Sequence, residues 1–237
     1  MSKYGDEDSE PFFAEIMDKL SKNIPVSVAR YGDGEVMCAL AVRKGQTGRN
    51  DDGDPYTQQL GRLLIETFKN PTSDPNFYYA YGGHCHKMGM TTRLRADKIW
   101  NDRIHWRDAY VFINAGINGT LQQLIDMLNE RPSILIAPSY LHDISIDFDH
   151  KISVPKHQAY GLFGDIERQV RHATEDGRNY IVILVAGMSA TWMTHQLFHL
   201  HGKKHSFLDF GSPFDAYVLN THVKRSHFAH FHEDIKL

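Results

Sequence analysis

Residues 30–35, with the sequence RYGDGE, place one arginine, two glycines and two acidic residues within six positions. Carboxylates two positions apart offer hard oxygen ligands, which suit Mg²⁺ or Mn²⁺ shared with a substrate phosphate. The guanidinium of Arg30 matches the geometry of a phosphate group. An ordinary strand-to-helix turn, with Glu35 as a favourable acid in the first helical turn, accounts for only part of this pattern. The spacing therefore favours a site in which Asp33 and Glu35 bind a metal and Arg30 binds phosphate.

Two later places, where an apolar run gives way to small or acidic residues, are candidates for the same site. Gly187 and Ser189 follow the apolar run 181–185, and backbone N–H groups at the start of the next helix would bind an anion there. Ser189 acting only as a helix N-cap is the alternative. Asp209 follows the last apolar run, where it would either hold a ribose hydroxyl, a metal or a sugar, or simply begin a turn.

Short apolar, β-branched or aromatic runs alternate along the chain with segments of helical spacing, such as Leu60, Leu64 and Phe68. Candidate strands are residues 26–29, 77–81, 110–113, 134–137, 152–154, 181–185 and 207–208. This alternation predicts one α/β domain, over residues 11–237, with a mostly parallel sheet flanked by helices. We expect residues 1–10 to be disordered. In such a sheet, ligands bind beyond the carboxyl ends of the strands, where all three candidate motifs fall.

Composition narrows the class of protein. The 237 residues are 41% hydrophobic and 23% charged, close to the averages for soluble globular proteins. The net charge of −3 lacks the strongly basic balance of a nucleic-acid-binding protein. No apolar run approaches the roughly 20 residues of a membrane-spanning helix, and the N-terminus lacks a signal-peptide pattern. With only two cysteines, Cys38 and Cys85, we expect a soluble cytoplasmic protein.

Three other features have competing interpretations. Residues 44–56 form a long polar segment, which is either a surface loop or a lid. His84 and His86 flank Cys85 and suggest a zinc site, although further ligands would have to come from elsewhere in the chain. A histidine-rich C-terminal group predicts either a docked amphipathic tail or a metal site; its members are His222, His227, His230 and His232.

Together the motifs resemble the GT-D type of glycosyltransferase, formerly a domain of unknown function, whose hallmark is an Arg-aromatic-Gly-Asp-Gly-Glu stretch containing a D-x-E motif. Residues 30–35 match this hallmark without departure. Residues 187–190 are similar to the small-residue turn of the family, and residues 209–212 to its later Asp-Ile-Gly-His stretch. Two positions depart from the family: Ser212 replaces the usual histidine, and Ala216 stands where an acid is expected, next to Asp215.

The resemblance implies a Rossmann-like fold and a metal-dependent transfer of a sugar from a nucleoside-diphosphate sugar to a hydroxyl of a glycan or glycoconjugate. It implies that Asp33 and Glu35 hold Mn²⁺ or Mg²⁺, and that the donor is bound by Arg30, Gly32, Gly34, Gly187 and Ser189. Asp209 is the candidate catalytic base, with Asp215 next. The alternatives are a zinc-dependent hydrolase using His84 and His86, and a non-catalytic module that binds nucleotide sugars.

Overall fold

The protein is described by a computed structural model that covers residues 8–211 and 213–214. Within these residues, seven strands form one sheet: β1 Ser27–Tyr31, β2 Phe77–Tyr81, β3 Trp106–Asp108, β4 Ser133–Ala137, β5 His150–Ser153, β6 Ile181–Leu184 and β7 Ser206–Asp209. Their order across the sheet is β3-β2-β1-β7-β6-β4-β5, and every neighbouring pair is parallel. The predicted α/β fold with a parallel sheet is confirmed.

Helices cover both faces of this sheet. In the described residues they are α1 Ser9–Ser21, α2 Asp33–Arg43, α3 Gln58–Lys69, α4 Gly83–Lys87, α5 Met90–Ala96, α6 Val111–Ile117, α7 Gln122–Glu130, α8 Phe163–Ala173 and α9 Ser189–His201. One apolar core joins the sheet to α1, α6 and α7, through residues such as Phe12 and Phe112. The other joins it to α2, α3, α5, α8 and α9, through residues such as Phe68 and Leu197.

Burial on both faces explains the composition of the central strands. Every residue of β4 and of β6 is buried, and both strands are continuous apolar runs after Ser133. A strand covered by helices on both sides has no solvent-facing positions, so its sequence does not alternate between apolar and polar residues.

The direction of strand addition reverses between β1 and β7. The chain builds β1, β2 and β3 outward in one direction, crosses to β4 and β5, and returns through β6 to place β7 beside β1. Helix α2, after β1, packs on one face of the sheet, whereas α6, after β3, packs on the other. A crevice therefore forms beyond the carboxyl ends of the central strands, which is the usual ligand site of open α/β sheets.

The strand predicted over residues 110–113 is wrong. This run begins helix α6, and the strand lies just before it as the three-residue β3. The side chain of Asp108 accepts a hydrogen bond from the backbone N–H of Tyr110 at 2.9 Å, where the chain turns into the helix. A buried helix segment and a buried strand both produce short apolar runs, so periodicity does not separate them.

The expectation that residues 1–10 are disordered is wrong for Ser9 and Glu10, because α1 begins at Ser9. Ser9 is buried; its hydroxyl donates to Asp108 and accepts a hydrogen bond from Nδ2 of Asn114 at 2.6 Å. Arg107 pairs with Asp8 at 2.7 Å just outside the helix. These contacts attach the start of α1 to the end of β3. In the part of the chain that the structure describes, no helix is long and apolar enough to cross a membrane.

Candidate active site

A cavity of about 340 Å³ opens at the carboxyl ends of the central strands. Most of its lining comes from residues that end or follow five strands: Arg30 and 32–35 from β1, Gly82 and His84 after β2, Ala109 and Tyr110 after β3, Gly187 and Met188 after β6, and Asp209 and Gly211 from β7. This volume lies within the range of roughly 300–1,000 Å³ typical of small-molecule sites. The cavity therefore lies at the reversal of strand order and includes most of the residues singled out from the sequence.

Asp33 and Glu35 lie in the first turn of α2, where the partial positive charge of the helix favours acidic groups. Glu35 accepts a hydrogen bond from the backbone N–H of Gly32 at 2.8 Å, which closes the start of the helix. The Asp33 side chain is 57% exposed, into the cavity, whereas Glu35 is half-buried. The structural role of Glu35 as a capping residue thus coexists with a position in the cavity wall.

The two glycines of this motif are explained by space and not by an unusual backbone. Gly32 has φ −85°, and Gly34 lies within α2. A Cβ at position 34 would lie 3.3 Å from the side chain of Met188 and 3.4 Å from that of Asn50. Gly34 therefore lets α2 approach the segments that close the other side of the cavity.

Three carboxyl groups of the site influence one another. Burial, followed by the nearby charge of Asp209, raises the pKa of Glu35 to about 8. Burial raises the pKa of Asp209 to about 6, although Arg30 and Thr191 act in the opposite direction. The pKa of Asp33 is lowered, chiefly by its interaction with His84. A further positive charge in the cavity would favour the ionised form of all three carboxyl groups.

Arg30 and Asp209 are held together at the ends of the adjacent strands β1 and β7. The backbone N–H of Arg30 donates to Oδ2 of Asp209 at 3.2 Å, and Nε of Arg30 lies 3.8 Å from Oδ1. Nη1 of Arg30 donates to the carbonyl of Ala109 at 3.0 Å. The hydroxyl of Thr191 lies 2.6 Å from the Arg30 carbonyl oxygen and 3.2 Å from Oδ2 of Asp209. The buried Nε–H of Arg30 has no hydrogen-bond partner among the described residues.

Gly211 makes room for this arginine. Its φ of +69° favours glycine, and a Cβ at this position would overlap the guanidinium group of Arg30. The glycine that follows β7 is therefore part of the structure that directs Arg30 into the cavity.

Gly187, at the end of β6, makes a comparable close approach to Asp54. Its φ is +55°, and a Cβ would lie 2.5 Å from Oδ2 of Asp54. Asp54 is buried, accepts a hydrogen bond from the backbone of Met188, and lies with Oδ1 2.7 Å from Nδ1 of His157. These contacts fasten the segment between α2 and α3 to the turn that follows β6.

That segment, predicted as a surface loop or a lid, borders the cavity. Asn50, Asp51 and Asp52 all line it. The segment closes on itself through Asn50, whose side chain accepts a hydrogen bond from the backbone N–H of Asp54 at 2.7 Å. Its polar and acidic residues therefore form one wall of the site.

The histidines around Cys85 occupy different environments. His84 lines the cavity, with Nδ1 2.5 Å from the hydroxyl of Tyr110. His86 lies 2.7 Å from the hydroxyl of Thr91 through Nδ1, and its ring packs against Tyr81 and Trp100. Residues 8–211 and 213–214 contain no group of three or more His, Cys, Asp or Glu side chains arranged to hold a metal ion. The zinc interpretation of His84 and His86 receives no support from this arrangement.

Ser189 differs from the sequence-based expectation, because it is buried and does not line the cavity. Its backbone N–H donates to the carbonyl of Ala186 at 3.2 Å, and the preceding Met188 faces the cavity in its place. The predicted donor contact of Ser189 is therefore not supported by its position. Outside the described residues lie Ser212, Asp215, Ala216 and the C-terminal histidines His222, His227, His230 and His232.

Several cavity residues carried no signal strong enough to identify them from the sequence as parts of this site. Tyr110 lay inside a predicted strand, and the wall formed by Asn50, Asp51 and Asp52 lay in the segment predicted as a surface loop or a lid. Tyr110 reaches the cavity because it follows β3. The wall of residues 50–52 reaches it through contacts between its own segment and distant segments of the chain. Only the rule that ligands bind beyond the carboxyl ends of strands would have brought Tyr110 into consideration.

The site around Asp33 and Glu35 fits a divalent metal that the ligand helps to bind. After burial, the neighbouring negative charges of Asp209 and Asp33 also raise the pKa of Glu35, and a cation beside these groups would offset that repulsion. Two carboxylates are too few to enclose a cation, which agrees with the absence of a larger ligand group among the described residues. Mg²⁺ is commonly bound by one or two carboxylates together with substrate phosphates. The site therefore fits a metal that arrives with a phosphate-bearing ligand.

The fold is similar to solved structures of domain of unknown function 1792 (DUF1792). A DUF1792 glycosyltransferase from Streptococcus sanguinis is 17% identical, with a TM-score of 0.60 over 86% of this chain and 81% of that one. A selenomethionine-substituted structure of the domain is 13% identical, with a TM-score of 0.59 over 86% and 78%. A third structure, described as a distinct glycosyltransferase fold, is 17% identical, with a TM-score of 0.60 over 95% and 89%.

No family model matches the chain, and no curated protein sequence matches it. The structural likeness shows that this chain shares the fold of the DUF1792 structures. At the level of fold, it confirms the predicted resemblance to the GT-D type of glycosyltransferase.

Proposed function

We propose that this protein is a glycosyltransferase that moves a sugar from a nucleoside-diphosphate sugar to a hydroxyl group of a glycan or glycoconjugate, with Mn²⁺ or Mg²⁺ as cofactor. The observation that carries the proposal is the meeting of Arg30, Asp33, Glu35 and Asp209 at one cavity beyond the carboxyl ends of the strands. The fold shared with the glycosyltransferase from Streptococcus sanguinis supports the same class of reaction.

Arg30 is suited to bind the diphosphate of the donor. In the transfer, the bond between the anomeric carbon and a phosphate oxygen breaks, and the electron pair leaves with the nucleoside diphosphate. Negative charge therefore develops on the phosphate oxygens, and a fixed guanidinium group stabilises that charge. The side chain of Arg30 is only 15% exposed and is held by Ala109 and Asp209, so little reorganisation is needed.

Asp209 is our candidate for the catalytic base. The acceptor hydroxyl forms the new bond to the anomeric carbon, and its proton passes to the carboxylate of Asp209. A pKa of about 6 leaves this carboxylate mostly ionised at neutral pH while making it a better proton acceptor than an ordinary aspartate. Oδ2 contacts Arg30 and Thr191, so Oδ1 is the oxygen that we assign to the acceptor.

Asp33 and Glu35 would hold the metal, which when bound supplies positive charge that offsets the charge of the diphosphate. The backbone at Gly32, Gly34 and Gly187 lines the cavity without side chains, and this leaves space for the donor close to the main chain. Phosphate groups commonly bind where backbone N–H groups are accessible in this way.

The main alternative is a protein that binds a nucleotide sugar without turning it over. The position of Asp209 in the cavity wall beside Arg30 favours catalysis over simple binding, because transfer to a hydroxyl needs a group that accepts its proton. We also propose a cytoplasmic location, which is supported by the two free and buried cysteines, Cys38 and Cys85.

The test begins with binding. UDP, GDP and ADP are titrated into the protein by calorimetry, with Mn²⁺ and separately with EDTA, and nucleotide sugars of the best nucleotide are then screened for turnover. We expect Mn²⁺ to strengthen nucleoside diphosphate binding at least about tenfold, because Asp33 and Glu35 would hold a metal whose positive charge offsets the charge of the diphosphate. Asp33→Ala and Glu35→Ala should remove most of this gain.

Asp165→Ala is the matched control, because Asp165 also lies in the first turn of a helix, α8, but is exposed and outside the cavity. It should keep the full effect of Mn²⁺. Equal nucleotide affinity with Mn²⁺ and with EDTA in the unmodified protein would contradict the metal-dependent function. Tight binding without release of nucleoside diphosphate from any sugar donor would favour the binding module.

A further inference from the structure

We propose that His84, oriented by Tyr110, is a positioning residue that holds the Asp33 carboxylate in the direction in which it meets the metal and diphosphate of the donor. The inference rests on the proposed function and extends it to two residues outside the D-x-E motif. His84 reaches the site from helix α4, after β2, and Tyr110 reaches it from the start of α6, after β3.

Asp33 needs such a partner because of its location. Its side chain is 57% exposed at the beginning of α2, where a short acidic side chain can adopt several rotamers. Nε2 of His84 lies 3.8 Å from Oδ1 of Asp33, so the imidazole faces this carboxylate. His84 thus limits the directions that the Asp33 carboxylate can take.

Tyr110 determines which nitrogen of His84 faces Asp33. Its hydroxyl lies 2.5 Å from Nδ1 of His84, on the opposite side of the ring from Nε2. When the hydroxyl donates to Nδ1, the remaining proton of the neutral imidazole is on Nε2, which lies 3.8 Å from Oδ1 of Asp33 and 3.5 Å from Sγ of Cys85. This is the arrangement by which outer residues commonly orient metal-binding groups.

The backbone around both residues favours this arrangement. Gly82 leaves the space that the His84 ring occupies, since a Cβ at position 82 would lie 2.8 Å from Cε1 of the ring. Tyr110 is held by the hydrogen bond from its backbone N–H to Asp108, which also contacts the start of α1. The two residues are therefore positioned by separate elements of the fold and meet only at the cavity.

His86 provides a contrast within the same short helix. Its Nδ1 lies 2.7 Å from the hydroxyl of Thr91, and its ring packs on Trp100 away from the cavity lining. The same substitution at His84 and at His86 therefore compares an imidazole that faces Asp33 with one that does not.

The experiment measures the affinity for UDP with Mn²⁺ and with EDTA in the unmodified protein and in His84→Gln, Tyr110→Phe, His84→Gln/Tyr110→Phe and His86→Gln. We expect His84→Gln to reduce the affinity gain from Mn²⁺ about tenfold, the effect usual for loss of an outer-shell partner, while leaving the affinity in EDTA unchanged. Tyr110→Phe should give a smaller loss, and the double variant should be no worse than His84→Gln. His86→Gln should retain the full gain.

Each outcome decides the inference. A normal Mn²⁺ effect in His84→Gln overturns it and leaves the proposed function intact. An equal loss of affinity with Mn²⁺ and with EDTA also overturns it, because His84 would then bind the nucleotide directly. If the unmodified protein shows no Mn²⁺ effect, the metal-dependent function fails and the inference fails with it. Melting temperatures check folding, and if His84→Gln does not fold, Tyr110→Phe decides the question.

Discussion

The carboxylate of Asp209 accepts a hydrogen bond from the backbone N–H of Arg30 at 3.2 Å, although 178 residues separate the two in the chain. The contact exists because β7, the last strand of the described residues, is inserted beside β1, the first of them. It joins the residue that we assign to the donor diphosphate with the residue that we assign to the acceptor hydroxyl. The insertion of β7 therefore assembles the two halves of the proposed reaction.

Asp209→Asn tests the catalytic base. The amide oxygen can still accept the hydrogen bond from the backbone of Arg30, so UDP affinity and its dependence on Mn²⁺ should persist. Release of nucleoside diphosphate from the sugar donor should fall by roughly 10²-fold or more, the usual scale for loss of a general base. Both quantities are measured on the same preparation at one metal concentration.

A different result would assign Asp209 another role. Near-normal turnover would remove it as the base and make Asp215 the next candidate. Parallel losses of UDP affinity and turnover would show that Asp209 acts through Arg30, by holding the guanidinium group in place.

Arg30→Lys separates phosphate binding from structural pairing. Lysine keeps the positive charge but loses the planar fork, so the affinity for nucleoside diphosphate should fall about tenfold while the protein stays folded. The measurements are UDP affinity and melting temperature. A large drop in melting temperature with unchanged UDP affinity would instead assign Arg30 to the structure, as the partner of Asp209 and Ala109.

Gly211→Ala tests the space that glycine leaves for Arg30. Gly177→Ala is the matched control, because Gly177 also has a positive φ, +81°, but a Cβ there would meet no atom within 4 Å. Both variants carry the backbone cost of a left-handed residue, about 1 kcal/mol. Only Gly211→Ala should also lower UDP affinity, since it displaces the guanidinium group. Equal UDP affinity in the two variants would contradict this account.

His205 makes the stability of the fold sensitive to pH. Burial lowers its pKa to about 4, and its Nδ1 accepts a hydrogen bond from the backbone N–H of Tyr180 at 3.2 Å. The folded state therefore holds this imidazole neutral, whereas an unfolded histidine titrates near 6.5. The stabilisation is complete above about pH 6.5 and is lost as the pH falls towards 4, with a limit of about 3 kcal/mol.

Urea denaturation at about pH 7 and about pH 5 measures this effect. His205→Gln can still accept the hydrogen bond but does not titrate, so its stability should fall less between the two pH values. His172→Gln, a substitution of an exposed histidine on α8, should fall as much as the unmodified protein. The same loss in all three proteins would exclude His205 as the cause.

Local sequence determined much of the fold and the first motif of the site. The fully apolar run 181–185 predicted a strand covered on both faces, and β6, Ile181–Leu184, is buried throughout. The cluster at residues 30–35 predicted a strand end followed by a helix start with two acidic groups, which is the arrangement of β1 and α2. Both predictions succeed because burial, strand ends and helix starts depend on residues that are neighbours in the chain.

Tertiary structure decided which distant residues complete the site. Nothing in the sequence indicated that Gly211 must be a glycine to leave space for Arg30. Nothing near Asp33 in the chain indicated that His84 is its neighbour. The helical conformation of residues 111–113 was equally hidden, because a short buried apolar run is compatible with both strand and helix. These features depend on strand order and on the packing of segments far apart in the chain, for which local sequence carries no direct record.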